Sequence, residues 1–183
     1  GLYVPSLYHV EYHQSGPIQS VKPIRDGVPE QIHKKAFKAP DGYATHTQIL
    51  SSATAWSDTF LIEVVRSCPQ ECRFCLASYL TRPFRATSVD TMIERIDTAL
   101  KYTKRVGLLG PSVTEHPVFE ELVRRLQERP EIELTIASVR ADTLNEYTLS
   151  TLKNLGQKSV TIAIESGSEK LRRSLNKGAD DIG

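Results

Sequence analysis

From Phe60 onward the sequence alternates short apolar runs with amphipathic stretches, and this alternation restricts the fold more than any other feature. Phe60-Leu-Ile-Glu-Val-Val65 reads as a strand, Arg-Val-Gly-Leu-Leu at 105–109 as a second, residues 131–139 as a third and 159–164 as a fourth. Thr87 or Ser88 caps a helix whose apolar face is Ile93, Ile96 and Leu100. Pro117 enters another, with Phe119, Leu122, Val123 and Leu126 on one face and a stop at Pro130. Thr143 and Glu146 form a capping box for a helix carrying Leu144, Tyr147, Leu152 and Leu155, ended by Gly156. A short helix over 168–177 is closed by Gly178. The strand starts at 105, 132 and 159 are 27 residues apart, and this period implies parallel strands joined by right-handed crossovers. The predicted fold class is α/β: a partial (β/α) barrel with about four βα units in this chain.

Residues 1–58 break the pattern. They hold His9, His13, His33 and His46, with Pro5, Pro17, Pro23, Pro29 and Pro40 and no sustained hydrophobic period. They read as an irregular N-terminal arm or linker with a short hairpin around Ser15-Gly16, and 59–183 as the core. The net charge of +1 over 183 residues gives no reason to expect a nucleic-acid or membrane-surface partner, and the basic run His33-Lys34-Lys35 reads as a solvated face. No apolar run approaches the ~18 residues of a membrane span. The opening Gly1 and the single methionine, Met92, suggest a piece of something longer.

All three cysteines, Cys68, Cys72 and Cys75, fall in one CxxxCxxC loop directly after the first strand. An odd, clustered set is a poor disulfide framework and a good metal-ligand one, which places the chain in a reducing, cytoplasmic compartment. Ligands of βα folds collect at the carboxyl ends of strands, where this loop sits. Three thiolates so close can grip one corner each of an iron–sulfur cubane and leave the fourth iron open. The plainer alternatives are a zinc site completed by a histidine such as His116, or free thiols.

The stretch Ile62-Glu-Val-Val-Arg-Ser-Cys-Pro-Gln-Glu-Cys-Arg-Phe-Cys75 resembles the first strand and cluster loop of the radical S-adenosylmethionine (radical SAM) superfamily. The resemblance extends over about 60–178 and implies a 4Fe-4S cluster on Cys68, Cys72 and Cys75 that cleaves SAM reductively to a 5'-deoxyadenosyl radical. It also implies a barrel of the radical SAM type. Because the family core has six such units, the resemblance implies that this core is truncated at its C-terminal side.

The resemblance assigns Phe74 to the adenine. After the second strand the family often has Gly-Gly-Glu for the methionyl ammonium; here stand Leu109-Gly-Pro-Ser112 and then Glu115, so Gly110 and Ser112 are carried over while the carboxylate is displaced. Gly110-Pro111 as a turn and Glu115 as a first-turn helix charge is the structural alternative. Ser138 and Arg140, at the end of the third strand, would face the SAM carboxylate, with a surface role for Arg140 as the alternative. Glu165 and Ser166, at the end of the fourth, resemble the ribose-facing turn of methylthiotransferase-like and cobalamin-linked members. Glu63 with Arg66, and Arg82 with Arg85, read as structural or solvated.

The implied activity is that of a radical SAM Fe-S oxidoreductase of unknown substrate, with methyl or methylthio transfer as the candidate chemistry. Its electrons would come from an external donor such as a flavodoxin or ferredoxin. The opening Gly1-Leu-Tyr-Val-Pro-Ser-Leu-Tyr8 resembles the connector that follows a cobalamin-binding domain, which puts cobalamin, if used, on residues outside this chain. A nucleic-acid substrate stays open. The alternative is a non-enzymatic iron–sulfur module for electron transfer or assembly, or an inactive core fragment.

Overall fold

The computed structural model describes residues 1–37 and 44–177, and the chain divides into two units, Gly1–Phe37 and Lys38–Gly183. In the first, β1 (Tyr8–Tyr12) and β2 (Ile18–Pro23) pair as an antiparallel hairpin. The turn lies at Ser15-Gly16, as the sequence suggests. His13 N–H donates to Pro17 O at 2.9 Å, and Gly16 takes φ +97°, which a side chain would disfavour.

The second unit runs β3 (Phe60–Glu63), β4 (Val65–Arg66), α1 (Leu76–Leu80), β5 (Arg85–Ala86), α2 (Val89–Ala99), β6 (Arg105–Leu109), α3 (Phe119–Gln127), β7 (Glu133–Ile136), β8 (Ser138–Val139), α4 (Glu146–Asn154), β9 (Thr161–Ile162) and α5 (Glu169–Ser174). Parallel strands β3, β6 and β7 lie side by side in chain order, and β8 pairs in parallel with β9. Residues 45–47 line the other edge of β3: His46 bridges Ile62 antiparallel, and Thr47 N–H donates to Leu61 O at 2.9 Å. Two-residue β4 pairs antiparallel with β5. The architecture is therefore α/β with mixed sheets.

Period-2 alternation sends Phe60, Ile62, Val106, Leu108, Leu134 and Ile136 to one buried face of the sheet. Helix α2 packs on β3 and β6 from Met92, Ile93 and Ile96, and α3 adds Phe119, Leu122, Val123 and Leu126 to the same core. Fully burying a side chain such as Leu122 contributes about 1.5–3 kcal/mol, so this face carries most of the folding drive. The opposite row, Leu61, Gly107 and Thr135, lies in register across three strands. A Cβ at Gly107 would meet Leu61 Cδ2 at 2.6 Å, so a larger residue there would have to displace the Leu61 side chain.

Five expectations change. The first strand ends at Glu63, because Val64 turns its carbonyl away to accept from Thr87 N–H at 2.9 Å. The third is interrupted at Ala137: the Gln157 side chain takes the edge of β7, its Oε1 accepting from Ile136 N–H at 3.0 Å, so the next strand can pair only beyond the break. That next strand shrinks to Thr161–Ile162 and is exposed. The cap of α4 is Asn145, whose side chain accepts from Thr148 N–H at 2.8 Å, and not Thr143. Thr143 belongs to a 3-10 turn and spends its hydroxyl on Thr114 Oγ1 and Arg140 O. Tyr147, expected on the buried face, is exposed. Ser88 caps α2 and Ser168 caps α5. Gly178 lies outside the described residues.

No helix among the described residues is long and apolar enough to cross a membrane.

Candidate functional site

The carboxyl ends of β3, β6, β8 and β9 each release a loop, and these loops carry the candidate residues. Leaving β4, Ser67 takes φ +69° and buries its hydroxyl against Ser78 O at 3.0 Å. A left-handed serine costs roughly 1–2 kcal/mol, so the bend into the cysteine segment is held by its surroundings. The three cysteines are free thiols. Burial pushes Cys68 and Cys72 above the usual thiol range. Cys75 is held below it by the Ser78 amide N–H, with burial opposing, so it is the readiest of the three to stand as thiolate.

Glu115 is the centre of the β6 side. Its Oε1 accepts from Gln70 Nε2 at 2.5 Å and stands 3.6 Å from Arg140 Nε; its Oε2 accepts from Ser112 Oγ and, at 3.5 Å, from the Cys68 thiol. Glu115 and Arg140 side chains are 9% and 11% exposed, so neither is a surface charge. Arg140 also grips Asp142 with Nε at 3.0 Å and with Nη2. Burial pulls its guanidinium down, but Asp142 and Glu115 outweigh this and raise it. Ser112 is buried. Gly110 passes close to Val65: a Cβ there would stand 2.8 Å from the Val65 carbonyl oxygen.

The β9 side forms a second group. Glu165 adopts φ +69° and pairs with Lys177 Nζ at 3.2 Å. That Nζ sits 5.9 Å from the centre of the Phe74 ring, which is half exposed. Ser166 Oγ accepts from Ser168 N–H at 3.0 Å, and Ser166 O accepts from Arg172 at 2.9 Å. Ser138 enters through its backbone, paired with Thr161. The two groups meet at the cysteine loop, where Cys68 lies against Glu115 and Phe74 against Lys177.

Phe74, Ser112, Arg140, Glu165 and the three cysteines are thus gathered on one end of the sheet. Gln70 and Lys177 are additions that sequence reasoning did not single out. Neither belongs to a strand end, and nothing in their spacing marks them. Glu63 and Arg66 pair with each other at 2.5 Å, and burial, which would raise the Glu63 carboxyl, is outweighed by this arginine, which lowers it.

Among the described residues no three His, Cys, Asp or Glu side chains converge on a single metal ion. His116 supplies no fourth zinc ligand: it is buried, its Nε2 donates to Thr87 O at 2.7 Å and its Nδ1 accepts from Val118 N–H at 3.3 Å. Cubane ligands need no such convergence, since each thiolate binds a different iron. The donor set fits a three-corner cluster better than a tetrahedral zinc site.

Burial depresses the pKa of His116, so the folded chain holds it neutral while the unfolded chain takes up a proton near pH 6.5. Its contribution to stability is complete above that value and is lost as pH falls through it, at up to about 1.4 kcal/mol per pH unit. Urea unfolding of the wild type is expected to weaken more between pH 7.5 and 5.5 than that of His116→Gln, with pH values set either side of the ~6.5 reference. Parallel losses would refute the neutral-histidine assignment.

A parallel α/β sheet with a three-thiol loop at the carboxyl end of its first strand defines the class. The chain belongs to the radical SAM superfamily, whose family model matches residues 62–181. Among its relatives is an uncharacterized protein of Methanocaldococcus jannaschii, 36% identical over 132 residues, covering 71% of this chain and 29% of that protein. A second protein of the same archaeon, provisionally named a methylthiotransferase, is 25% identical over 130 residues, 65% of this chain and 29% of its own length. The tRNA-2-methylthio-N(6)-dimethylallyladenosine synthase of Phocaeicola vulgatus is 20% identical over 191 residues, 84% of this chain and 42% of the synthase. The chain thus spans less than half the length of these relatives. Members of the superfamily are enzymes that use a 4Fe-4S cluster and SAM.

Proposed function

We propose that this chain carries the SAM-cleaving centre of a radical SAM enzyme, with Cys68, Cys72 and Cys75 as the ligands of a 4Fe-4S cluster and the strand-end loops as the SAM site. The observation that carries the reading is the meeting of the three-thiol loop, through Cys68 on Glu115 and Phe74 on Lys177, with Arg140 and Glu165 at one end of the sheet. Strand order supports a partial barrel, because each parallel strand follows its predecessor without the reversal of an open doubly wound sheet.

When bound, the cluster supplies the electron that cleaves the SAM sulfonium to methionine and a 5'-deoxyadenosyl radical. The chain's own residues bind and orient. Arg140, fixed by Asp142 and Glu115, and Lys177 offer two cations to the methionyl carboxylate. Glu165 accepts from the ribose hydroxyls, Ser166 stands beside it, and the exposed face of Phe74 stacks on the adenine. Gly110, Ser112 and Ser138 bring backbone and hydroxyl groups to the methionyl end. Cobalamin has no part in this proposal. For the whole protein we propose methylthio transfer, on the names of two of the relatives, or the simpler methyl transfer, with electrons from a flavodoxin or ferredoxin.

The test is anaerobic reconstitution with iron and sulfide, then reduction in the presence of SAM. About four irons per chain and release of 5'-deoxyadenosine are expected. Zinc in place of iron on a folded chain would overturn the cluster assignment. An iron-loaded protein that forms no 5'-deoxyadenosine would point to an electron-transfer or assembly module.

A further inference from the structure

We propose that the C-terminal end of α5 latches the cysteine loop to the Glu165 turn, with Arg73 and Asn176 as the positioning residues, so that a nucleoside sulfonium bound at Glu165 slows loss of metal from the three cysteines. The inference rests on the function proposed above and goes beyond it, because neither residue touches the cluster or SAM in that reading.

Residues 67–75 belong to no helix or strand, yet they must present three thiols in a fixed arrangement. Nearer contacts hold parts of them, Ser67 on Ser78, Gln70 and Cys68 on Glu115, and Glu71 on Arg82 and Tyr79, but the tie to the Glu165 turn comes from about a hundred residues away. The last carbonyls of a helix have no partner within it. At the end of α5, Leu175 O accepts from the Arg73 N–H at 2.9 Å, and Ser174 O accepts from Arg73 Nη1 at 2.5 Å. Asn176, at φ +52°, stops the helix and turns its Nδ2 to donate to Glu71 O at 3.0 Å. Arg73 therefore caps α5 from the cysteine loop, and Asn176 caps the cysteine loop from α5.

The same helix end holds the Glu165 turn. Arg172, buried to 7% exposure, donates to Ser166 O, and Lys177 pairs with Glu165. Arg172, Ser174, Leu175, Asn176 and Lys177 are consecutive or nearly so, and their backbone is tied by the closing hydrogen bonds of α5. A shift of the Glu165 turn is carried to Arg73 and Glu71 through one rigid turn of chain. Coupling of this kind is a free energy shared by both sides, so a ligand that steadies one is expected to steady the other.

The test is iron release from the reconstituted protein to a ferrous chelator, followed by visible absorbance with and without SAM. In the wild type SAM is expected to slow release about tenfold. The double variant Arg73→Ala, Asn176→Ala should load iron and bind radiolabelled SAM in equilibrium dialysis, yet release iron faster and lose most of the SAM protection. Arg73→Lys, which keeps a donor, should restore part of it. Undiminished SAM protection in the double variant would overturn the latch. Hydrogen exchange over residues 70–75 of the cluster-free chain gives a second readout, expected to quicken in the double variant; unchanged exchange overturns the latch as well. If wild type takes up no iron or binds no SAM, the functional reading fails, while the exchange measurement still decides the latch.

Discussion

Cys72→Ala is expected to abolish the broad visible iron–sulfur absorbance of the anaerobically reconstituted protein. Cys72 is the middle ligand of the motif and, at 6% exposure, the most deeply placed of the three. Burial raises its thiol above the usual range, and the positive charges of Lys177 and Arg140 oppose that rise without cancelling it, so the metal must displace the proton for Cys72 to bind. Its loss leaves two thiolates for a cluster that already has one iron without a protein ligand, and two corners do not retain a cubane. The Cys72 backbone carbonyl accepts from the Cys75 N–H at 3.0 Å, a bond that alanine keeps, so far-UV circular dichroism should stay that of the wild type. Iron content and the visible spectrum are the measurements. A spectrum equal to the wild type's would remove Cys72 from the ligand set and the cluster with it.

The cysteine loop was legible because it is local. CxxxCxxC places three ligands within eight residues, and no tertiary knowledge is needed to see them together. Strands β3 and β6 were legible for a similar reason: Phe60–Glu63 and Arg105–Leu109 are fully paired, so their apolar character matches their burial. The third and fourth strands follow their neighbours more than their own composition. Residues 131–139 read as one run, yet the Gln157 amide imitates a strand beside Ile136 and splits it. Likewise Asn145 displaces Thr143 as a cap, since the 3-10 turn before α4 consumes the threonine hydroxyl in a contact with Thr114, 29 residues away.

The site was half legible. Arg140 and Glu165 could be placed from their positions at strand ends, but not the partners that fix them. Lys177 reaches Glu165 only because α5 turns back after Ser174, and Gln70 reaches Glu115 only because β3 and β6 are neighbours. Both contacts depend on strand order. Glu115, read as either a ligand contact or a first-turn charge, turns out to sit in a 3-10 turn and to bind four side chains at once.

That hub gives the largest stability effect expected of any single polar substitution in the site. Glu115→Ala should destabilise the cluster-free chain by about 3 kcal/mol, because a buried ion pair broken from one side leaves the other charge uncompensated. Asp142 keeps Arg140 partly paired, which holds the loss to the lower end of that range. Ser112 and Gln70 lose their acceptor in the same stroke, and Ser112 is too buried to turn to water. Urea unfolding followed by circular dichroism measures the difference. A loss well below 1 kcal/mol would place Glu115 among ordinary exposed ion pairs. Glu115→Gln separates the two contributions: its amide oxygen still accepts from Ser112 or Gln70, so the loss narrows to about 1 kcal/mol if hydrogen bonding carries the hub. A glutamine variant as unstable as the alanine one assigns the hub to the charge of Arg140, and makes neutralising that guanidinium the main structural task of Glu115.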